Sequence, residues 1–124
     1  MPVRSLTSSV MRWPGRDEVA AAFREWAAHL AQDEPDLVAA GYFGSYARGD
    51  WGPGSDLDVV LILAQSPAPF IRRVAPGDAT TLPVPADVLR YTVGEWRTLQ
   101  RRHDRFARML REETVWVVGA PPGE

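Results

Sequence analysis

The sequence predicts a small α/β or α+β domain in which one sheet is covered by helices. Three observations carry that expectation. An apolar stripe at helical spacing runs from Val19 to Leu30. Two short apolar runs, Leu37 to Phe43 and Leu57 to Leu63, follow it across a turn-rich stretch. A third short run, Asp87 to Tyr91, leads directly into a helix-capping signature at Thr92-Val93-Gly94-Glu95. Helix, strand, strand, strand, helix and strand in that order describe a sheet with helices packed against it.

The bulk composition narrows the class. A chain of 124 residues has room for one domain with one modest core. Its apolar share of 45% and charged share of 24% are ordinary for a globular protein. A net charge of −2 gives no positive field to recruit nucleic acid or acidic membranes. Direct binding of nucleic acid is therefore not expected, and neither is a membrane role. The chain has no cysteine, which excludes disulfides, thiolate zinc sites and a cysteine nucleophile. Met1 to Trp13 has no continuous apolar core and does not read as a signal peptide. A cytoplasmic protein is the resulting expectation.

In chain order, residues 1–13 read as a loosely attached lead-in, 14–119 as the domain and 120–124 as a tail. Pro14-Gly15 opens the first helix, with Asp17 and Glu18 in the turn where carboxylates suit the helix dipole. Val19, Phe23, Trp26, Ala27 and Leu30 mark its buried face, and Pro35 stops it. Leu37 to Phe43 is apolar and free of proline, as a buried strand should be. Leu57 to Leu63 is rich in β-branched and aliphatic residues and reads as a second strand. Ala64 to Pro85 carries Pro67, Pro69, Pro76, Pro83 and Pro85, so only Phe70 to Val74 has room for a helical turn. A stretch this long without regular structure is uncommon in a compact domain and is often functional. After the capping box, Trp96, Leu99, Phe106 and Leu110 supply the stripe of one long helix or two short ones. Thr114 to Val118 is the last expected strand.

The chemistry is concentrated between the first two strands. Asp56 and Asp58 are two apart at the start of a strand, so both carboxylates leave the same face while Leu57 turns inward. Carboxylates that close repel one another unless a cation lies between them. Hard oxygen donors of this kind suit Mg²⁺, which is commonly held by a few carboxylates together with substrate phosphates. Asp87, on a neighbouring strand, is the acid placed to complete a two-ion site; Asp78, in a turn-like setting, is a poor substitute. Gly44-Ser45 directly follows the first strand. Glycine lets a backbone approach a phosphate, and the amides that open a helix can donate to it. A phosphate cradle beside a metal site is what phosphoryl or nucleotidyl transfer needs.

Gly44-Ser45-Tyr46-Ala47-Arg48-Gly49, followed by Ser55-Asp56-Leu57-Asp58-Val59-Val60, resembles the signature of the polymerase-β nucleotidyltransferase superfamily. In size the chain is similar to that superfamily's minimal nucleotidyltransferases, and the resemblance spans roughly Phe23 to Val118. It implies a small mixed sheet of about four strands, with the two motifs on adjacent strands. It also implies that Gly44 and Ser45 hold the triphosphate of ATP or another NTP, and that Asp56 and Asp58 bind two Mg²⁺ ions. Asp87 would be the third carboxylate, binding one ion and helping to deprotonate the attacking hydroxyl. Arg48 would reach phosphates or a partner surface. The proline-rich stretch departs from the family pattern, in which a helix is usual there, so the departure concerns the acceptor side of the site.

The expected reaction moves a nucleoside monophosphate to a hydroxyl. Three acceptor readings follow. In the first, a helical HEPN-type partner is modified on a tyrosine, the chain being the antitoxin of a pair. In the second, a small molecule such as an aminoglycoside is modified, with an oligomer or partner completing the pocket. In the third, the chain acts by contact with little catalysis. Arg97, Arg101, Arg105 and Arg108, spaced four, four and three, would line one helix face, most simply as a solvated face balanced by nearby acids. His29 and His103 are expected within helices without ligand partners. Trp51 either stacks on a base or pins its loop.

Overall fold

The computed structural model describes residues 14–65 and 81–123. Its elements are α1 (Arg16–Asp33), β1 (Leu37–Phe43), a four-residue helix α2 (Ser45–Arg48), β2 (Leu57–Leu63), β3 (Ala86–Thr92), α3 (Val93–Gln100), α4 (Arg105–Glu113) and β4 (Val115–Gly119). The four strands form one mixed sheet in the order β3-β2-β1-β4. β1 runs antiparallel to both β2 and β4, and β3 runs parallel to β2.

The local reasons are visible in the residues. α1 buries Val19, Phe23, Ala27 and Leu30, the expected stripe, with Trp26 half-buried and its ring 5.7 Å from that of Phe23. It ends at Asp33 because the residue before a proline is driven out of helical geometry, and Glu34 accordingly has φ −123° and ψ 89°. β2 is the more buried of the two central strands and is covered on both faces. That explains its uninterrupted Val59-Val60-Leu61-Ile62-Leu63, every residue of which is buried. Side-chain alternation turns Leu57, Val59 and Leu61 toward α1, together with Ala40 and Tyr42 of β1. Val60 and Ile62, with Ala39 and Phe43, pack instead against Trp96 and Leu99 of α3 and Ala107 and Leu110 of α4. The result is three layers, with α1 on one side of the sheet and α3–α4 on the other.

β4 joins the sheet through a bulge between Ala40 and Gly41. A Cβ on Gly41 would lie 2.7 Å from the Val115 carbonyl oxygen, so the close approach of β4 depends on that glycine. At the start of α3 the capping box is complete. The Glu95 amide donates to Thr92 Oγ1 at 3.1 Å, and the Thr92 amide donates to Glu95 Oε1 at 2.8 Å.

The stripe from Trp96 to Leu110 forms two short helices rather than one long one. Asp104 starts the second: its Oδ1 accepts from the Ala107 amide at 2.8 Å, and its carboxylate pairs with Arg102. That break corrects the expectation of a single arginine face. Arg97 lies on α3, Arg101 in the connection, and Arg105 and Arg108 on α4. His103 likewise lies in the connection rather than in a helix, and both histidines are exposed. Trp13, the possible turn at Phe70 to Val74, and Asp78 lie outside the described residues. The end of the proline-rich stretch is within them, and there Leu82 and Val84 are buried against the α1-side core. No described helix is long and apolar enough to cross a membrane.

Candidate active site

The turn after β1 is built around one glycine. Gly44 has φ +79° and ψ −149°, a conformation that residues with a Cβ rarely adopt. Contact adds a second reason, because a Cβ there would lie 2.3 Å from Asp58 Oδ2. The glycine is therefore required by the carboxylate beside it. The Gly44 carbonyl accepts from the Ala47 and Arg48 amides at 3.0 and 2.9 Å, which starts α2 at Ser45. Gly49, with φ +92°, ends that helix and donates to the Ser45 carbonyl at 2.9 Å. Ser45 thus sits half-buried as the first residue of α2, within the six-residue turn from Gly44 to Gly49.

Sheet register brings the acids together. Asp58 stands opposite Phe43 of β1 and beside Asp87 of β3. Adjacent strands lie about 4.7–4.9 Å apart, so two aspartates in register on one face share one small region. Alternation places Asp58 on the α3–α4 side with Val60, and Asp87 on the same side with Leu89. Asp56 lies one residue outside β2, whose first residue is Leu57. Pro83 and Pro85 do not displace β3: the Pro85 carbonyl accepts from the Leu57 amide at 2.8 Å and ties the two strand starts together.

The electrostatics follow from this placement. Asp58 is half-buried, whereas Asp56 and Asp87 are exposed. Burial first, then the charge of Asp87, then that of Asp56 push the Asp58 carboxyl above the usual range, with Arg48 opposing them. Among the described residues, no three histidine, cysteine, aspartate or glutamate side chains gather tightly enough to enclose an ion by themselves. The donor set nonetheless fits a hard divalent cation. The Asp58–Asp87 pair and Asp56 offer only carboxylate oxygens and carry mutual repulsion that a cation would relieve. Magnesium also commonly completes its shell with water and substrate phosphates rather than with protein alone.

Arg48 is engaged elsewhere. Its Nε donates to Asp50 Oδ2 at 3.0 Å and its Nη1 to Glu113 Oε1 at 3.1 Å, so it joins α2 to α4. Those two carboxylates, Asp50 first, raise the proton affinity of the guanidinium. With Arg105, Arg108, Met109, Glu112 and Glu113 it lines a cleft of about 570 Å³. Two of the four arginines of the expected stripe therefore share this cleft, and the other two do not. Trp51 stacks on Tyr46, with centroids 5.6 Å apart and planes 5° from parallel. It is half-buried against the core, which is the loop-pinning role.

Sequence reasoning missed Arg16. Its Nε donates to the Tyr46 carbonyl at 3.1 Å and its Nη2 to the Ala47 carbonyl at 3.3 Å. The signal available was weak: a cation at the first residue of α1, where the helix dipole disfavours positive charge.

A four-stranded mixed sheet between helical layers, with a glycine-serine turn and in-register aspartates at one end, defines an α/β domain with a carboxylate site. The chain belongs to the nucleotidyltransferase domain family, whose model matches residues 22–117. That agrees with the resemblance read from the two motifs. No curated protein matches the sequence. Among solved structures, the chain is similar to a protein from Sulfolobus solfataricus assigned as a nucleotidyltransferase, at 19% identity and a TM-score of 0.54, covering 82% of this chain and 80% of that one. It is also similar to a toxin–antitoxin structure with AMP-PNP, at 17% identity and a TM-score of 0.51, and to a mutant of the toxin–antitoxin MntA-HpeT, at 15% and 0.50. Both matches cover 78% of this chain and 73% of the other. At these identities the likeness is one of fold.

Proposed function

We propose that this protein transfers a nucleoside monophosphate, AMP from ATP in the simplest case, to a hydroxyl on a partner protein. The single observation that carries the reading is the register of Asp58 beside Asp87, with Asp58 touching the Gly44 turn. In this reading Ser45 and the amides that open α2 hold the triphosphate. The acceptor oxygen attacks the α-phosphorus, a new P–O bond forms, and the bond to the bridging oxygen breaks to release pyrophosphate. Asp87 takes the proton of the acceptor hydroxyl. Asp56, Asp58 and Asp87 are the residues that would hold magnesium, which when bound neutralises the triphosphate and increases the acidity of the acceptor.

A protein acceptor is favoured by likeness. Two of the similar folds come from toxin–antitoxin structures. On this reading the chain is the antitoxin of a pair, and its partner is a helical HEPN-type protein. In a second reading the chain acts by contact with its partner, with little catalysis.

One experiment separates the two readings. The protein is incubated with labelled ATP and Mg²⁺, with and without the product of the neighbouring gene, and intact masses are read. The proposal expects one added AMP on the partner, and none with the Asp58→Asn variant. A tight complex with no transfer would favour the contact reading.

A further inference from the structure

The four-residue helix that follows the Gly44 turn is too short to hold its own position. Helices of this length are marginal without tertiary support, since few internal bonds offset the ordering of the backbone. Packing supplies part of that support. Tyr46 is buried and Trp51 stacks on it. A directional contact comes from α1. Arg16 reaches across thirty residues of sequence and donates to the carbonyls of both Tyr46 and Ala47, at 3.1 and 3.3 Å. These carbonyls belong to the second and third residues of α2; the last four carbonyls of a helix lack helical partners, and a cation there is electrostatically favoured. At its own position Arg16 sits at the positive end of α1, which disfavours it. The residue is thus badly placed for the helix it belongs to and well placed for the one it touches. A Cβ on Gly49 would meet Arg16 Nη1 at 3.8 Å, so the guanidinium also lies beside the residue that ends the helix.

We infer that Arg16 is a positioning residue for the phosphate-holding turn: it fixes the angle at which Ser45 and the following amides face the carboxylates. This rests on the proposed nucleotidyl-transfer reading. Arg16 touches no reacting atom in that account. It acts through the Tyr46 and Ala47 carbonyls, one and two residues after Ser45. A planar guanidinium presents two donors in fixed relation, and an ammonium does not. Arg16→Lys should therefore recover only part of the function.

The test compares wild type, Arg16→Lys and Arg16→Met in initial rates against Mg·ATP concentration, alongside ATP affinity by titration calorimetry. Small misplacements of binding groups are costly in such sites, so Arg16→Met should raise KM and Kd for ATP about tenfold. The loss in kcat should be less than threefold, and Arg16→Lys should fall between the two. Hydrogen exchange should quicken at the amides of residues 45–49 and stay unchanged in β2. A variant that keeps the wild-type KM and Kd overturns the positioning role, even if its thermal stability drops. A wild-type protein that binds no ATP overturns the nucleotide reading instead, and the positioning role falls with it.

Discussion

The two faces of the sheet are built from the same strands yet end differently. On the α1 face, β2 contributes Leu57, Val59 and Leu61, all fully buried, and the apolar contact continues to the start of the strand. On the α3–α4 face, Val60 and Ile62 are equally buried, but the next position toward the start of the strand is Asp58. At the same end of the sheet, one face is sealed by Leu57 and the other opens onto three carboxylates. An 18-residue helix covers the sealed face, and two helices of 8 and 9 residues cover the open one. At this end of the strand, apolar packing and carboxylates thereby lie on opposite sides, one residue apart.

This contrast can be broken most severely from the sealed side. Leu61→Ala, at a position with no exposure, should cost about 2–5 kcal/mol in urea unfolding, with its effect on ATP binding following folding alone. Gly44→Ala attacks the boundary between the two sides. Its positive φ and the approach of Asp58 Oδ2 should cost about 1–3 kcal/mol, and ATP affinity should fall in protein that is still folded. Thr92→Ala removes a capping bond of α3 far from the acids. A loss of about 1 kcal/mol with unchanged ATP affinity is expected by thermal unfolding.

Asp58→Asn should have the smallest effect on stability, and its sign is opposite. Because the folded-state carboxyl holds its proton more tightly than the unfolded one, the folded state binds more protons. Stability is then intact below the unfolded value of about 3.9 and declines as pH rises through the folded value. The asparagine variant escapes this decline. It should melt slightly above wild type at neutral pH, and the gap should close in acid. Wild type melting higher at pH 7 in the absence of divalent cations would contradict the electrostatic picture.

How much of this was legible in the sequence differs by region. β2 matched its predicted limits, because a doubly covered strand must be a continuous apolar run. α1 was as clear, since Val19, Phe23, Ala27 and Leu30 repeat at helical spacing. The proximity of Asp56 to Asp58 and the sharp turn at Gly44 could be read because both are local. The register of Asp87 beside Asp58 could only be expected, for it depends on how two strands far apart in sequence align. The break at Asp104 turned on a single capping side chain, and it divided an arginine stripe that spacing alone had joined. Arg16 could not be found from its neighbours in sequence, because its meaning lies in two carbonyls thirty residues away.

The central claim is that the open end of the sheet receives a triphosphate together with a divalent cation. It is tested most directly by adding Mn²⁺·ATP to isotope-labelled protein and reading which backbone amide signals broaden. The account predicts broadening confined to residues 44–49, 56–58 and 86–88, and its loss in Asp58→Asn. Broadening centred elsewhere, or broadening that survives the substitution unchanged, would contradict it.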